Sequence, residues 1–402
     1  MQTKCVLTAD IGSSSLKAAL INIEGKVLAF SRIPYSKNMP VFFEAKEWEK
    51  IFFMAAEECL SKCDDFPSAI CISGNGPTLV SQDSRTLLWS YQVLQKGPSL
   101  FLDRILYFIN NFTESFSSTK YLFSGPEYLI YQLTGRAVTI LPEERFLSAY
   151  WTEDLLKNAG LSPKDICKIP PFVKSGSYVG EAFLKGKKVP LFAGSPDFVS
   201  ALLGTACTKS GALCDRAGSS EGLNLVTDRA IYKKGLRTLP SAVPALWNLS
   251  FLIEDSGKAF EEYKKAVEKD QNKIFSYQDF IDLCLENKNF LEGKMIMKNL
   301  ALKVKEGLGI LKEAFEEEGL AFPKEMAVTG GQAKNEKWLQ FKSSVCGMKL
   351  LLPECSDAEL LGDAVFAFCG LGDFKNFSQA AESLCKIKKV ILPQDFKEDF
   401  LS

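Results

Sequence analysis

Apolar positions along this chain follow two spacings, and the switches between them outline its elements. Residues 5–7, 16–23 and 27–33 are short β-prone runs, the last two separated by Glu24-Gly25-Lys26, and they predict a three-stranded antiparallel meander. Residues 47–63 change to helical spacing, with Trp48, Ile51, Phe52, Ala55, Ala56, Cys59 and Leu60 on one stripe. Residues 68–73 (SAICIS) read as a buried strand that opens into the polar loop Gly74-Asn75-Gly76-Pro77-Thr78. Loops at that end of a strand commonly bind ligands. Helices are predicted over 99–111, over 126–133 with Gly135 closing the last turn, and over 151–159. From Ser256 to about Gly319 the chain is helical and charged, with Ala259, Tyr263, Val267, Leu300, Val304, Leu308 and Leu311 in register. A strand (325–329), a glycine turn (330–335), a helix (338–345), a strand (349–352) and an amphipathic helix (357–371, with Gly362 as a close-packing point) complete the pattern.

Near the middle lies VPLFAGSPDFVSALLGTACTKSGALCDRAGSSEGLN, residues 189–224. Its strand, 189–193, should end at Gly194-Ser195-Pro196, and Asp197 follows at once, ahead of a helix of small residues. Open α/β sheets place their chemistry at such a strand end, although an Asp there also serves as a helix N-cap. Gly218-Ser219-Ser220 repeats Gly12-Ser13-Ser14 at a separation of 206 residues (218 less 12), and each copy lies between two apolar runs. The repetition points to two similar domains facing each other, with a pair of ordinary hairpin turns as the alternative. Gly and Ser turns expose N–H groups and hydroxyls that suit phosphate oxygens. At the same offset Asp10 becomes Arg216, so one copy alone keeps the carboxylate. The strand, Gly330-Gly331 and helix further on form a third cradle, because only Gly lets a ligand approach the backbone closely at such a turn.

Composition narrows the chemistry. A length of 402 residues fits two domains of about 200. With 48 Lys and Arg against 49 Asp and Glu there is no basic field for nucleic acid or anionic membrane, which favours a small-molecule partner. The chain lacks a signal-peptide core and any apolar run of about 18 residues, so a cytoplasmic location is expected. Twelve cysteines without a CxxC pair read as reduced thiols and not as a zinc site. No histidine is present, which excludes Ser-His and Cys-His catalysis and leaves a carboxylate, Lys, Tyr or Cys as general base.

In order along the chain, TADIGSSSLKAAL (8–20), EAKEW (44–48), ISGNGPTLV (72–80), GPEYLIYQLTG (125–135), FAGSPDFVSALLG (192–204), RAGSSEGLN (216–224), VTGGQAKNEKWLQ (328–340) and AELLGDAVFAF (358–368) resemble the FGGY family of carbohydrate kinases, within the sugar kinase, actin and Hsp70-like ATPase superfold. The resemblance implies an α/β fold of two pseudo-symmetric ribonuclease H-like, actin-like ATPase domains with a cleft between them. Residues 1–206 would carry the sugar site and first phosphate turn, and residues 207–402 the second phosphate turn and adenosine loop. It implies ATP-dependent transfer of the γ-phosphate to a hydroxyl of a small sugar or polyol, a ketose such as xylulose or ribulose, or an alditol. Asp10 matches the acid that helps hold Mg²⁺, Gly12, Ser13, Ser14 and Ser15 the first phosphate turn, and Asp197 the general base. Gly218, Ser219 and Ser220 match the second phosphate turn, and Gly330, Gly331 and Asn335 the adenosine loop. The expected cofactors are ATP and Mg²⁺; a homodimer is left open.

Several positions depart from the family pattern. The 75–78 loop lacks the His or Arg common among relatives, Trp89-Ser90-Tyr91-Gln92-Val93 replaces a Trp-x-Asp-x-Arg run, and Pro196 stands where Gly is usual. The chain is also shorter than most relatives, with the shortfall placed between Val226 and Lys324. Candidate sugar contacts are Glu44, Asn75, Thr78 and Asp197, followed by Trp89 and Gln92. A site without a cation suits an uncharged ketose or alditol better than a sugar acid. The competing reading is a catalytically silent sugar or nucleotide sensor on the same fold.

Overall fold

A computed structural model describes residues 3–37, 42–218, 221–254 and 256–395. The chain forms two compact units: residues 1–204 with 240–244 and 359–384, and residues 205–239 with 245–358 and 385–402.

The first unit is built on a six-stranded sheet. Strands β1 (Cys5–Ile11), β2 (Ser15–Asn22) and β3 (Val27–Pro34) form the predicted meander, joined by antiparallel pairing. On its other side β1 pairs in parallel with β4 (Ile70–Gly74). Strands β5 (Tyr178–Leu184) and β6 (Lys187–Pro196) complete the order β5-β6-β4-β1-β2-β3. Helix α1 (Trp48–Ser61) packs across β2 and β3, and the stripe read from its spacing is the face it buries. Trp48 and Phe52 are fully enclosed there. The helix expected from residue 99 starts at Leu102, after a turn in which the Ser99 hydroxyl accepts the Leu102 N–H at 3.0 Å. Helix α2 (Glu127–Thr134) ends on left-handed Gly135 as predicted.

Strand β6 does not stop at Ala193. It continues through Gly194-Ser195-Pro196 with a register shift between Ala193 and Pro196, and Pro196 pairs with Gly74. A Cβ at Gly194 would overlap the Ile72 carbonyl, so this glycine permits a close approach of two strands instead of ending one. Helix α3 (Asp197–Gly204) starts on the next residue.

The second unit repeats the scheme. Strands β7 (Leu213–Ala217), β8 (Glu221–Thr227), β9 (Arg237–Pro240), β10 (Trp247–Ile253), β11 (Glu325–Thr329), β12 (Lys349–Pro353) and β13 (Ile387–Ile391) form a sheet ordered β9-β10-β8-β7-β11-β12-β13. The antiparallel β7-β8-β10 set corresponds to β1-β2-β3, the parallel β7-β11-β12 set to β1-β4-β6, and the antiparallel edge β13 to β5. The repeated Gly-Ser-Ser is thus the mark of a repeated sheet. Helices α4 (Lys258–Gln271), α5 (Tyr277–Glu286), α6 (Leu291–Glu317) and α7 (Glu336–Cys346) pack in this unit, while α8 (Ala358–Gly370) returns to the first.

Candidate active site

In the first unit, the ends of β1 and β4 gather the predicted residues. Asp10 is buried near the end of β1, directly opposite Lys17 of β2, whose ammonium lies 3.4 Å from Asp10 Oδ2 and 4.0 Å from Glu359 Oε2. A third acid, Asp363 of α8, is fully enclosed and accepts the hydroxyls of Ser73 (2.7 Å) and Ser200 (2.9 Å). Burial, and then the charges of Asp10 and Glu359, hold its pKa well above the usual carboxylate range. Helix α8 comes this close because Gly362 lacks a Cβ, which would overlap the Ser200 carbonyl.

The turn after β1 closes with Gly12 N–H donating to Ser15 O at 3.1 Å. Ser13 and Ser14 are exposed. Ser15 is buried and its hydroxyl accepts Arg32 Nε at 2.9 Å, so that side chain faces the protein while its two neighbours face solvent.

Trp89 Nε1 donates to Ser13 Oγ (3.1 Å), Trp89 N–H to Thr78 Oγ1 (3.1 Å), and the Thr78 hydroxyl to Asn75 Oδ1 (2.9 Å). Asn75, Thr78 and Trp89 are therefore linked to the first turn. Asn75 Nδ2, Glu44 Oε1 and the Tyr35 hydroxyl are buried polar atoms without a hydrogen bond inside the protein. Burial and then Glu47 push the Glu44 carboxyl up to about 7. Tyr35 is raised well above its ordinary value by burial, followed by the charges of Glu44, Asp10 and Glu47, which puts these acids within electrostatic reach of one hydroxyl. The sequence reading missed Tyr35, Lys17, Glu359 and Asp363. A lone Asp inside the apolar run LLGDAVFAF was the available signal. Asp197 opens α3, and its Oδ1 accepts the Phe198 N–H at 2.7 Å, a contact of the capping kind. Gln92 is exposed.

In the second unit Gly218 follows β7; Ser219 and Ser220 lie outside the described residues. Gly330 has φ +91°, and a Cβ on it would overlap the Ala217 carbonyl, so the glycine turn sits directly against the end of β7. Gly331 is exposed. Asn335 caps α7 by accepting the Trp338 N–H (2.8 Å) and donates to Asp282 (2.9 Å) and the Gln278 carbonyl (3.3 Å). Its amide thus joins the glycine turn to α5.

Residues 295–371 match the profile described as the FGGY family of carbohydrate kinases, C-terminal domain. Over 97% of this chain and 93% of the relative, the sequence is 22% identical to a xylulose kinase of Bacillus subtilis. The chain thus carries an FGGY carbohydrate kinase C-terminal domain, and its similarity to a xylulose kinase runs over nearly its whole length. Among solved structures, the chain superposes on a ligand-bound xylulose kinase from Lactobacillus acidophilus with a TM-score of 0.75 at 15% identity, covering 97% and 94% of the two chains. A gluconate kinase from the same organism gives 0.74 at 15% identity, covering 98% and 94%. Likeness to kinases with such different printed substrates fixes the fold and leaves the acceptor to be argued from side chains.

Proposed function

We propose that this ATP-dependent sugar kinase phosphorylates an uncharged ketose or alditol, with Asp197 as general base and Asp10 as the Mg²⁺-associated acid. The observation that carries the choice of acceptor is the set of polar atoms around the first turn. Asn75 Nδ2, the Tyr35 hydroxyl and Glu44 Oε1 offer donors and acceptors for hydroxyl groups. The neighbouring cations point elsewhere, Lys17 toward Asp10 and Glu359 and Arg32 toward Ser15. An anionic acceptor would face the charges of Glu44, Glu47 and Asp10, and Lys17, the lysine beside Asp10, is already shared between two acids.

Phosphoryl transfer needs positioning and charge neutralisation more than covalent catalysis. Asp197 takes the proton of the attacking hydroxyl, the role open to a carboxylate in a chain without histidine. Hard carboxylate oxygens fit Mg²⁺, which takes one or two carboxylates and keeps several waters, and Asp10 supplies one. When bound, that ion would offset charge on the transferred phosphoryl group. Gly218 to Ser220 and the Gly330-Gly331 turn are assigned to the nucleotide.

The deciding experiment is ADP release with Mg-ATP across pentuloses, hexuloses, alditols, aldonates and glycerol. Turnover with neutral acceptors, falling by about 10² to 10⁴ in Asp197→Asn, is expected. Preference for an aldonate overturns the choice of acceptor. Silence across the panel with sugar binding intact would favour the sensor.

A further inference from the structure

Beneath the turn of the second unit lies a buried polar network that the assigned chemistry does not use. Lys342 of α7 is fully enclosed, and its ammonium donates to Asp215 Oδ2 (2.7 Å), Glu221 Oε1 (2.6 Å) and Gln332 Oε1 (3.1 Å). Three donors meet three acceptors. Gln332 also accepts Trp338 Nε1 (2.9 Å) and donates to Glu221 Oε2 (3.1 Å) and Ser256 Oγ (3.0 Å), while the Ser256 hydroxyl donates to Glu221 Oε2 (2.7 Å).

The placement of these residues is informative. Asp215 and Glu221 lie on the two strands of one hairpin, three residues before Gly218 and one after Ser220, and Gln332 lies inside the glycine turn. We propose that Lys342 is a positioning residue for the nucleotide, clamping the facing ends of β7 and β8 to the Gly330-Gly331 turn so that the glycine turn stands ordered before the nucleotide arrives. The proposal rests on the reading that the second unit binds ATP.

Two physical arguments support it. A buried ion triad is often no more stabilising than well-packed apolar side chains of the same volume, so its return is sought in fixed geometry. The charge balance also suits an anion nearby. Burial, and then the Glu221 charge, push Asp215 up to about 8 against the pull of Lys342. Below that pH one proton stays on the pair and the triad is neutral. The thiols of Cys214 on β7 and Cys346 on α7 lie within electrostatic reach of Asp215, with Lys305 of α6 in reach of Cys346, while Gln332 and the Trp338 ring, 5.3 Å away, face the Lys342 ammonium.

The test measures Mg-ADP affinity by calorimetry, which needs no acceptor sugar. Lys342→Met alone leaves two buried acids without a cation and is expected to unfold readily. Lys342→Met combined with Asp215→Asn and Glu221→Gln removes the charges together and keeps the volume. Expected are a folded triple variant with ADP binding weakened at least tenfold and sugar KM within twofold. Wild-type ADP affinity should also fall from pH 7 to 9, with the fall flattened in Asp215→Asn. A folded triple variant that binds ADP within twofold of wild type overturns the proposal, as does an unchanged pH profile in Asp215→Asn. Wild-type protein that binds no ADP overturns instead the nucleotide reading on which the proposal stands.

Discussion

The hairpins β1–β2 and β7–β8 share strand order, pairing sense and a Gly-Ser-Ser turn, yet they are supported in opposite ways. Behind the first, Asp10 and Glu359 flank Lys17, and the enclosed Asp363 lies within electrostatic reach of both acids, so electronegative oxygen is in excess. Behind the second, Arg216 stands at the position of Asp10, and a lysine pinned between two acids is sealed from water. One sheet topology has thus been given two electrostatic tasks. On the proposed function, the first copy would hold a cation and a polyhydroxyl ligand, and the second would brace the glycine turn at Gly330.

The sharpest way to break this comparison is to exchange the odd residues. Asp10→Asn is expected to lower kcat by at least about 10², the size of effect seen when a group that stabilises transition-state charge is removed. Arg216→Ala should change kcat less than tenfold. Similar losses for both, measured as kcat at saturating ATP and sugar, would mean that the two turns carry equivalent charges. Gly330→Ala comes next. It forces a side chain into φ +91° and into the Ala217 carbonyl, so ATP KM should rise about tenfold and stability should fall by about 1–3 kcal/mol. The mirror change Gly12→Ala meets Ser15 O at 3.0 Å and Asp10 Oδ2 at 3.8 Å, at a φ that is not left-handed, and should be milder.

A smaller effect separates the sugar side from the nucleotide side. Glu44 is raised to about 7, so below that pH it carries a proton that it can donate and above it is an acceptor only. Sugar KM should therefore change between pH 6 and 8 while ATP KM does not, and Glu44→Gln should flatten the sugar profile. A profile that persists in the variant removes Glu44 from the site.

Much of this arrangement could be read from residue order. Both hairpins, the strand at 325–329 and the stripe of α1 follow from local spacing, and local spacing is what a sequence displays. What escaped depends on partners far along the chain. Asp363 touches Ser73 across 290 residues, and Lys342 touches Asp215 across 127. Lys342 also stands four residues after Trp338, on the stripe of α7 that faces the sheet, yet by residue type it reads as a solvated position. Strand β6 ends at Pro196, inside the Gly194-Ser195-Pro196 cluster and three residues beyond the expected Ala193, for a similar reason. Its glycine answers to the Ile72 carbonyl of a neighbouring strand, which the order of residues does not show.

The smallest expected effect on turnover is at Glu127, a buried acid that serves as a control for Glu44. Glu127 Oε1 accepts the Ile140 N–H at 2.7 Å and the Ser124 hydroxyl at 3.1 Å, and burial pushes its carboxyl up to about 7 in spite of them. Its folded value lies above the unfolded value of 4.5, so the stability it contributes is complete below pH 4.5 and is lost as pH rises through about 7. The loss by pH 8 amounts to about 3 kcal/mol for a group enclosed this fully. Glu127→Gln keeps an oxygen for both donors and does not titrate. Denaturant unfolding should find the variant close to wild type at pH 5 and more stable at pH 8.5, with kcat and sugar KM within twofold at both. If instead its sugar KM moves with pH as Glu44→Gln is expected to move it, the titration seen in wild type belongs to the fold of the first unit and not to contact with the sugar.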